Sequence, residues 1–217
     1  MPTANETLTT FERGWIFRIK PPLANPPSRI FIFIHGWTGD EKSMELFSRG
    51  LPESSCSLFP RGPVQALSGG YGWVPNQADW KAPLADYAPV AASLMGEIDH
   101  RIADFGLSSP SLSVTGFSQG AAMTYALLFL FPTRINRAAA LAGFLPEVPP
   151  GFDRSALNGK PVYIAHGTRD ETIPVEEARQ AAEFLNSAGA DVSYCENSGG
   201  HKLPTNCFSQ LTHFLLE

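Results

Sequence analysis

Cysteine is scarce in this chain, with three in 217 residues. Cys56, Cys195 and Cys207 make no C-x-x-C pair and no spacing of metal ligands, which sets aside zinc ribbons, iron–sulfur centres and dithiol redox motifs. Their odd number suits a reducing compartment, and buried free thiols are the expectation for all of them. Clustered positive charge is also missing. Lys and Arg total 16 against 21 Asp and Glu, a net charge of −5, and Arg61, Lys81 and Arg134 stand isolated from one another. Nucleic acid and anionic membrane surfaces are bound through grouped cations, so neither partner is expected. No apolar run approaches membrane-spanning length, and the first ten residues have neither the basic start nor the apolar stretch of a secretory signal. A cytoplasmic protein without integral membrane association is therefore expected. Internal repeats and low-complexity tracts are absent too.

What is present is enough apolar material for one core: 43% of the residues are hydrophobic, and the length suits one domain over residues 1–217. Residues 11–20 alternate Trp15, Phe17 and Ile19 with Arg18 and Lys20, as an antiparallel edge strand would. Residues 30–34 are uninterrupted Ile and Phe, the pattern of a parallel strand covered on both faces. A helix over 43–51 and a short strand over 54–60 follow. Residues 61–89 are rich in Gly, Pro and aromatics without periodicity and predict a long loop of functional type. Val90, Leu94, Ile98 and Ile102 recur at intervals of four, which predicts a helix over 87–105. Strand 112–115, helix 119–131, strand 138–142, strand 161–166, helix 174–188, strand 190–195 and helix 205–216 complete the chain. Alternation of this kind predicts a mostly parallel sheet with helices on both faces, whose ligands bind beyond the carboxyl ends of the strands.

The strongest motif is Gly116-Phe117-Ser118-Gln119-Gly120, placed where an apolar strand turns into a helix. That context makes it a candidate nucleophile elbow, with Ser118 on a strained turn and glycines where side chains would collide. A serine hydroxyl needs a neighbouring base and donors for the developing oxyanion. Asp170, just past strand 161–166, is the candidate acid, with Glu171 its competitor. His201, after Gly199-Gly200, is the candidate base that takes the Ser118 proton, and activity should rise with pH across the imidazole range. His35 and His166 each end a strand before a glycine and are expected to hydrogen-bond loop backbone; His100 and His213 fall in helices. The backbone N–H groups of Gln119 and Trp37 are the candidate oxyanion donors. Tyr71, Trp73 and Trp80, with Phe144 and Leu145 opposite, are candidate substrate walls, or they only pack their loops onto the domain.

The series H-G-x-x-G-D, G-F-S-Q-G, H-G-x-x-D-x-x-I-P and G-G-H, in this order, resembles the phospholipase/carboxylesterase family of α/β-hydrolases, which includes the acyl-protein thioesterases. The resemblance covers nearly the whole chain. It implies an α/β-hydrolase fold without a large cap domain, and ester or thioester cleavage through an acyl-enzyme with no cofactor and no metal. It also implies Ser118, Asp170 and His201 as nucleophile, acid and base, and Trp37 and Gln119 as oxyanion donors. Ala142 stands where the family commonly carries serine, and residues 69–80 depart from its pattern. A carboxylesterase or lysophospholipase-like enzyme acting on a small-molecule or acyl ester is the leading expectation. An acyl-thioesterase is the alternative; a non-catalytic binding protein on the same fold would be distinguished by labelling of Ser118, whereas acyl transfer or perhydrolysis shares the same residues and differs from hydrolysis only in the acyl acceptor. The residues give no oligomeric state.

Overall fold

The computed structural model describes residues 7–75, 81–107, 111–203 and 205–217. The first two strands, β1 (Leu8–Glu12) and β2 (Trp15–Lys20), form a hairpin. The segment expected as one edge strand is thus broken by a turn at Arg13-Gly14, where both residues take positive φ. β3 (Ile30–Ile34) and β4 (Cys56–Pro60) follow, then a two-stranded ribbon of β5 (Val64–Gln65) and β6 (Tyr71–Gly72) inside the expected long loop. The rest alternates: α1 (Leu84–Ala103), β7 (Leu112–Phe117), α2 (Gln119–Leu130), β8 (Ile135–Leu141), β9 (Pro161–Gly167), α3 (Val175–Ser187), β10 (Asp191–Asn197) and α4 (Thr205–Leu216). The eight-stranded sheet has the order β1-β2-β4-β3-β7-β8-β9-β10. It is parallel from β4 to β10 and antiparallel only at the β1–β2–β4 edge.

Side chains alternate across a strand, so each central strand feeds two cores. Ile30, Ile32 and Ile34 join Val114, Ala138, Ala140, Val162 and Ile164 under α1, α2 and α3. Phe31 and Phe33 join Leu141, Tyr163 and Ala165 under α4 and the 44–51 segment. The alanines of β8 would suit a helix by propensity, but pairing on both sides with β7 and β9 fixes them as strand. Residues 43–51 are a correction: only a 3-10 turn, Glu45–Ser48, forms there. Its hydrogen bonds run from Ser43, Glu45, Phe47, Arg49 and Leu51 to the carbonyl three residues back, which puts Met44 and Phe47 on one side against the second core.

The cysteines are a second correction. Cys195 on β10 and Cys207 in the first turn of α4 are joined in a disulfide with Cα atoms 5.9 Å apart, and only Cys56 is free and buried. The spacing of 12 residues matched no motif; it is the return of α4 onto β10 that brings the thiols together. Among the described residues, no helix is long and apolar enough to cross a membrane.

Candidate active site

β7 delivers Ser118 into a backbone conformation of φ 56° and ψ −120°. The turn is over-determined by its surroundings, as strained positions must be. The Ser118 N–H donates to the Leu141 carbonyl at 2.9 Å. A β-carbon on Gly116 would stand 2.0 Å from the Gly120 carbonyl oxygen, and one on Gly120 would stand 2.2 Å from that of Ile34. Only glycine fits either place, because both obstacles are backbone.

His201 lies between two partners. Its Nε2 is 3.0 Å from Ser118 Oγ and its Nδ1 is 2.7 Å from Asp170 Oδ2. The Asp170 side chain is 0% exposed, and its Oδ1 accepts the backbone N–H groups of Thr172 and Ile173, each at 2.9 Å. A carboxylate so engaged fixes the tautomer: Nδ1–H donates to Asp170, leaving Nε2 as the acceptor that faces the hydroxyl. The His201 side chain retains 23% exposure, which opens this pair to the cleft. Glu171, the competitor, is exposed, and the carboxylate that meets His201 is that of Asp170. His166 bonds loop backbone as expected, with Nε2 2.9 Å from the Ile173 carbonyl oxygen. His100 meets Glu12 and His213 meets Glu217 at the surface.

The two candidate oxyanion donors, Trp37 and Gln119, line one hollow together with Ser118. A β-carbon on Gly36 would stand 3.1 Å from Ser118 Cβ, so the Gly36 backbone passes close beside the candidate nucleophile. Among the described residues, no backbone hydrogen bond uses the N–H of Trp37 or of Gln119. Gln119 also opens α2, whose positive end favours an anion. His35 holds the Trp37 loop: its Nδ1 donates to the Gly36 carbonyl at 2.7 Å, and its Nε2 accepts the Gly62 N–H at 2.9 Å. Burial lowers the His35 pKa, against the opposing pull of the Gly36 bond and of Asp40 and Glu41. The ring is neutral with its proton on Nδ1, as an acceptor at Nε2 requires.

A cavity of about 520 Å³ lined by Trp37, Met44, Phe47, Phe117, Leu203 and Phe208 opens on one side of Ser118 and His201. A second, of about 400 Å³, adjoins them with Gln119, Phe144, Thr172 and Ile173. Of the expected substrate walls, Phe144 is therefore at the site. Trp73 is not. It is 1% exposed, with its indole N–H donated to the His35 carbonyl at 2.7 Å, and it packs the loop instead. Tyr71 lies under Arg61, 4.6 Å from ring centroid to guanidinium carbon, and lines neither cavity. Leu145 turns to a separate hollow with Pro149, Phe152 and Phe184. Trp80 lies outside the described residues. The sequence reading missed the Gln119 side chain, which accepts from Trp73 N–H at 2.8 Å and donates to the Val74 carbonyl at 2.9 Å. It also missed Phe47, Leu203 and Phe208, which carry no local signal because their partners lie far along the chain.

The likeness to known proteins extends well beyond these motifs. The family model for phospholipase/carboxylesterase matches residues 18–217. A probable carboxylesterase of Arabidopsis thaliana, described as SOBER1-like, is 30% identical over 172 residues, or 73% of this chain and 65% of that protein. The aligned part is thus under two thirds of that relative's length. Acyl-protein thioesterase 1 of Debaryomyces hansenii is 25% identical over 76% of this chain and 80% of its own. Among solved structures, a carboxylesterase from Mesorhizobium loti superposes with a TM-score of 0.81 at 18% identity, covering 97% of this chain and 98% of that one. That superposition carries the α/β-hydrolase fold, and the family match runs from β2 to the last residue. The chain belongs to the phospholipase/carboxylesterase family.

Proposed function

We propose that this protein is a serine hydrolase that cleaves carboxylic esters through an acyl-enzyme on Ser118. The observation that carries the reading is the single imidazole of His201 held between Ser118 Oγ and the buried Asp170 carboxylate. In the proposed cycle His201 Nε2 takes the Ser118 proton as Oγ attacks the ester carbonyl. Asp170 stabilises the imidazolium, and the N–H groups of Trp37 and Gln119 receive the oxyanion. The imidazolium then returns the proton to the departing alkoxide. Water, deprotonated by the same ring, releases the acid and restores the hydroxyl. The two cavities that meet at Ser118 and His201 supply room for the two arms of an ester, and the larger has more apolar lining. Burial of apolar acyl surface there contributes about 25 cal/mol per Å².

A thioester is the second reading, favoured by the relative named acyl-protein thioesterase 1. Both reactions share the acyl-enzyme and differ in the leaving group. A fluorophosphonate probe is expected to label wild type and to leave Ser118→Ala unlabelled, with kcat of the variant down by about four to six orders of magnitude. A nitrophenyl ester series of increasing acyl length, run beside an acyl-CoA, separates the two readings. Retained labelling in Ser118→Ala overturns the proposal.

A further inference from the structure

Both flanks of the segment that carries His201 end on one covalent bond. Cys195 and Cys207 are its two ends, and His201 lies midway between them. The first half of this segment is tied to the loop of Asp170: Thr168 N–H donates to the Asn197 carbonyl at 2.7 Å and Arg169 N–H to that of Gly199 at 3.0 Å. The second half is not. Among the described residues, the backbone hydrogen bonds of residues 200–203 are confined to Lys202 N–H on the Gly200 carbonyl, at 2.7 Å. The next residue is proline, which has no N–H to offer. Regular bonding resumes in α4, whose first turn is fixed by the disulfide and by the Tyr163 hydroxyl donating to the Cys207 carbonyl at 2.8 Å.

We infer that the Cys195–Cys207 bridge is a positioning crosslink for His201, and that opening it lowers turnover at the Ser118 site. The inference rests on the proposed role of His201 as base. With the bridge closed, the segment between Cys195 and Cys207 that carries His201 is pinned at both ends and the 3.0 Å approach of Nε2 to Ser118 Oγ is maintained. With it open, α4 keeps the Tyr163 bond and its apolar packing, but residues 200–203 are left with the Lys202–Gly200 bond and the packing of Leu203, which lines the larger cavity with Phe208. Loss of about 1 Å in placement of a reacting group costs up to about a hundredfold in rate. Opening requires a dithiol reductant. One of its thiolates attacks a sulfur of the bridge, the S–S bond breaks and a mixed disulfide forms. The second thiol then displaces the protein, so the reagent leaves as a cyclic disulfide and both cysteines carry protons. Both sulfurs are buried, so reduction should be slow and follow local opening.

The test uses the full chain purified without reductant. Thiol titration in denaturant should give one thiol per chain, from Cys56, and three after dithiothreitol. On p-nitrophenyl acetate, reduction should lower kcat about ten- to a hundredfold, change KM by less than about threefold, and slow fluorophosphonate labelling of Ser118 in parallel. The Cys195→Ser/Cys207→Ser double variant should show the reduced level with or without dithiothreitol, while Cys56→Ser behaves as wild type. Circular dichroism at the assay temperature checks that each form is folded. Three thiols before reduction, or an unchanged kcat in either folded open form, overturns the inference while leaving the esterase reading intact. Absence of Ser118-dependent hydrolysis in the oxidised protein overturns both.

Discussion

Asp170 and Glu171 are adjacent carboxylates with opposite surroundings. Asp170 has no exposed side-chain surface and receives two backbone N–H groups and an imidazole, whereas Glu171 points to solvent. Asp170→Asn should therefore lower kcat by about four orders of magnitude, because an amide can present a donor to Nδ1 and favours the wrong tautomer. Glu171→Gln should leave kcat within about twofold; equal losses in the two variants would contradict the assignment. At the elbow, Gly116→Ala places a β-carbon 2.0 Å from a backbone oxygen, and unfolding in urea should show a loss of about 2–4 kcal/mol. These residues were legible in the sequence because each sits in a short motif after a strand, so local spacing determines its place. Trp73 was not. An aromatic in a glycine-rich loop offers no period from which burial can be judged, and the carbonyl of His35 that receives its N–H belongs to a different loop.

The elements were legible wherever apolar residues ran continuously or at intervals of four, as in β3 and α1. The departures have local causes. The break between β1 and β2 rests on two residues with positive φ, and the 44–51 segment winds as 3-10 between a turn capped by Asp40 and Gly50. How α1 meets the hairpin was not legible at all. Arg101, buried with Glu97 at 4% side-chain exposure each, lies 2.9 Å from it. It also donates to Thr10 Oγ1 at 2.7 Å and sits 4.4 Å from the Phe17 ring centroid. This guanidinium joins α1 to β1 and β2. Glu97→Leu leaves it buried with only the half-exposed Glu12 carboxylate, 3.7 Å away, and should cost about 3–5 kcal/mol. The Glu97→Leu/Arg101→Met pair should recover much of that loss. A double variant no more stable than Glu97→Leu would show that the charge pair is not what secures the contact.

Across the whole molecule, the carboxyl ends of β3, β7, β9 and β10 present Trp37, Ser118, Asp170 and His201 at one edge of the sheet, which is how a parallel sheet gathers distant segments. The same assembly buries His35 as a neutral ring in contact with Gly36 and Gly62, and this makes global stability depend on pH. Burial lowers the pKa of His35 from 6.5. As pH falls below about 6.5, the unfolded chain takes up a proton that the folded chain refuses, so stability falls with it, by up to about 1.4 kcal/mol per pH unit for one imidazole. The loss levels off once pH passes below the lowered folded value. Protonation of Nε2 would also set a donor against the Gly62 N–H and release the loop over Ser118. Carboxylates whose pKa is lowered in the fold, such as Asp40, Glu41 and Glu196, lose their contributions further down, from about pH 5. Urea unfolding of wild type and His35→Gln at pH 5, 6, 7 and 8 separates these effects. The variant should be less stable at pH 8, where the two hydrogen bonds of the ring are lost, and the gap should narrow toward pH 5. A gap of constant size across the series would mean that His35 does not titrate between folded and unfolded states, and that acid sensitivity in this range has another source.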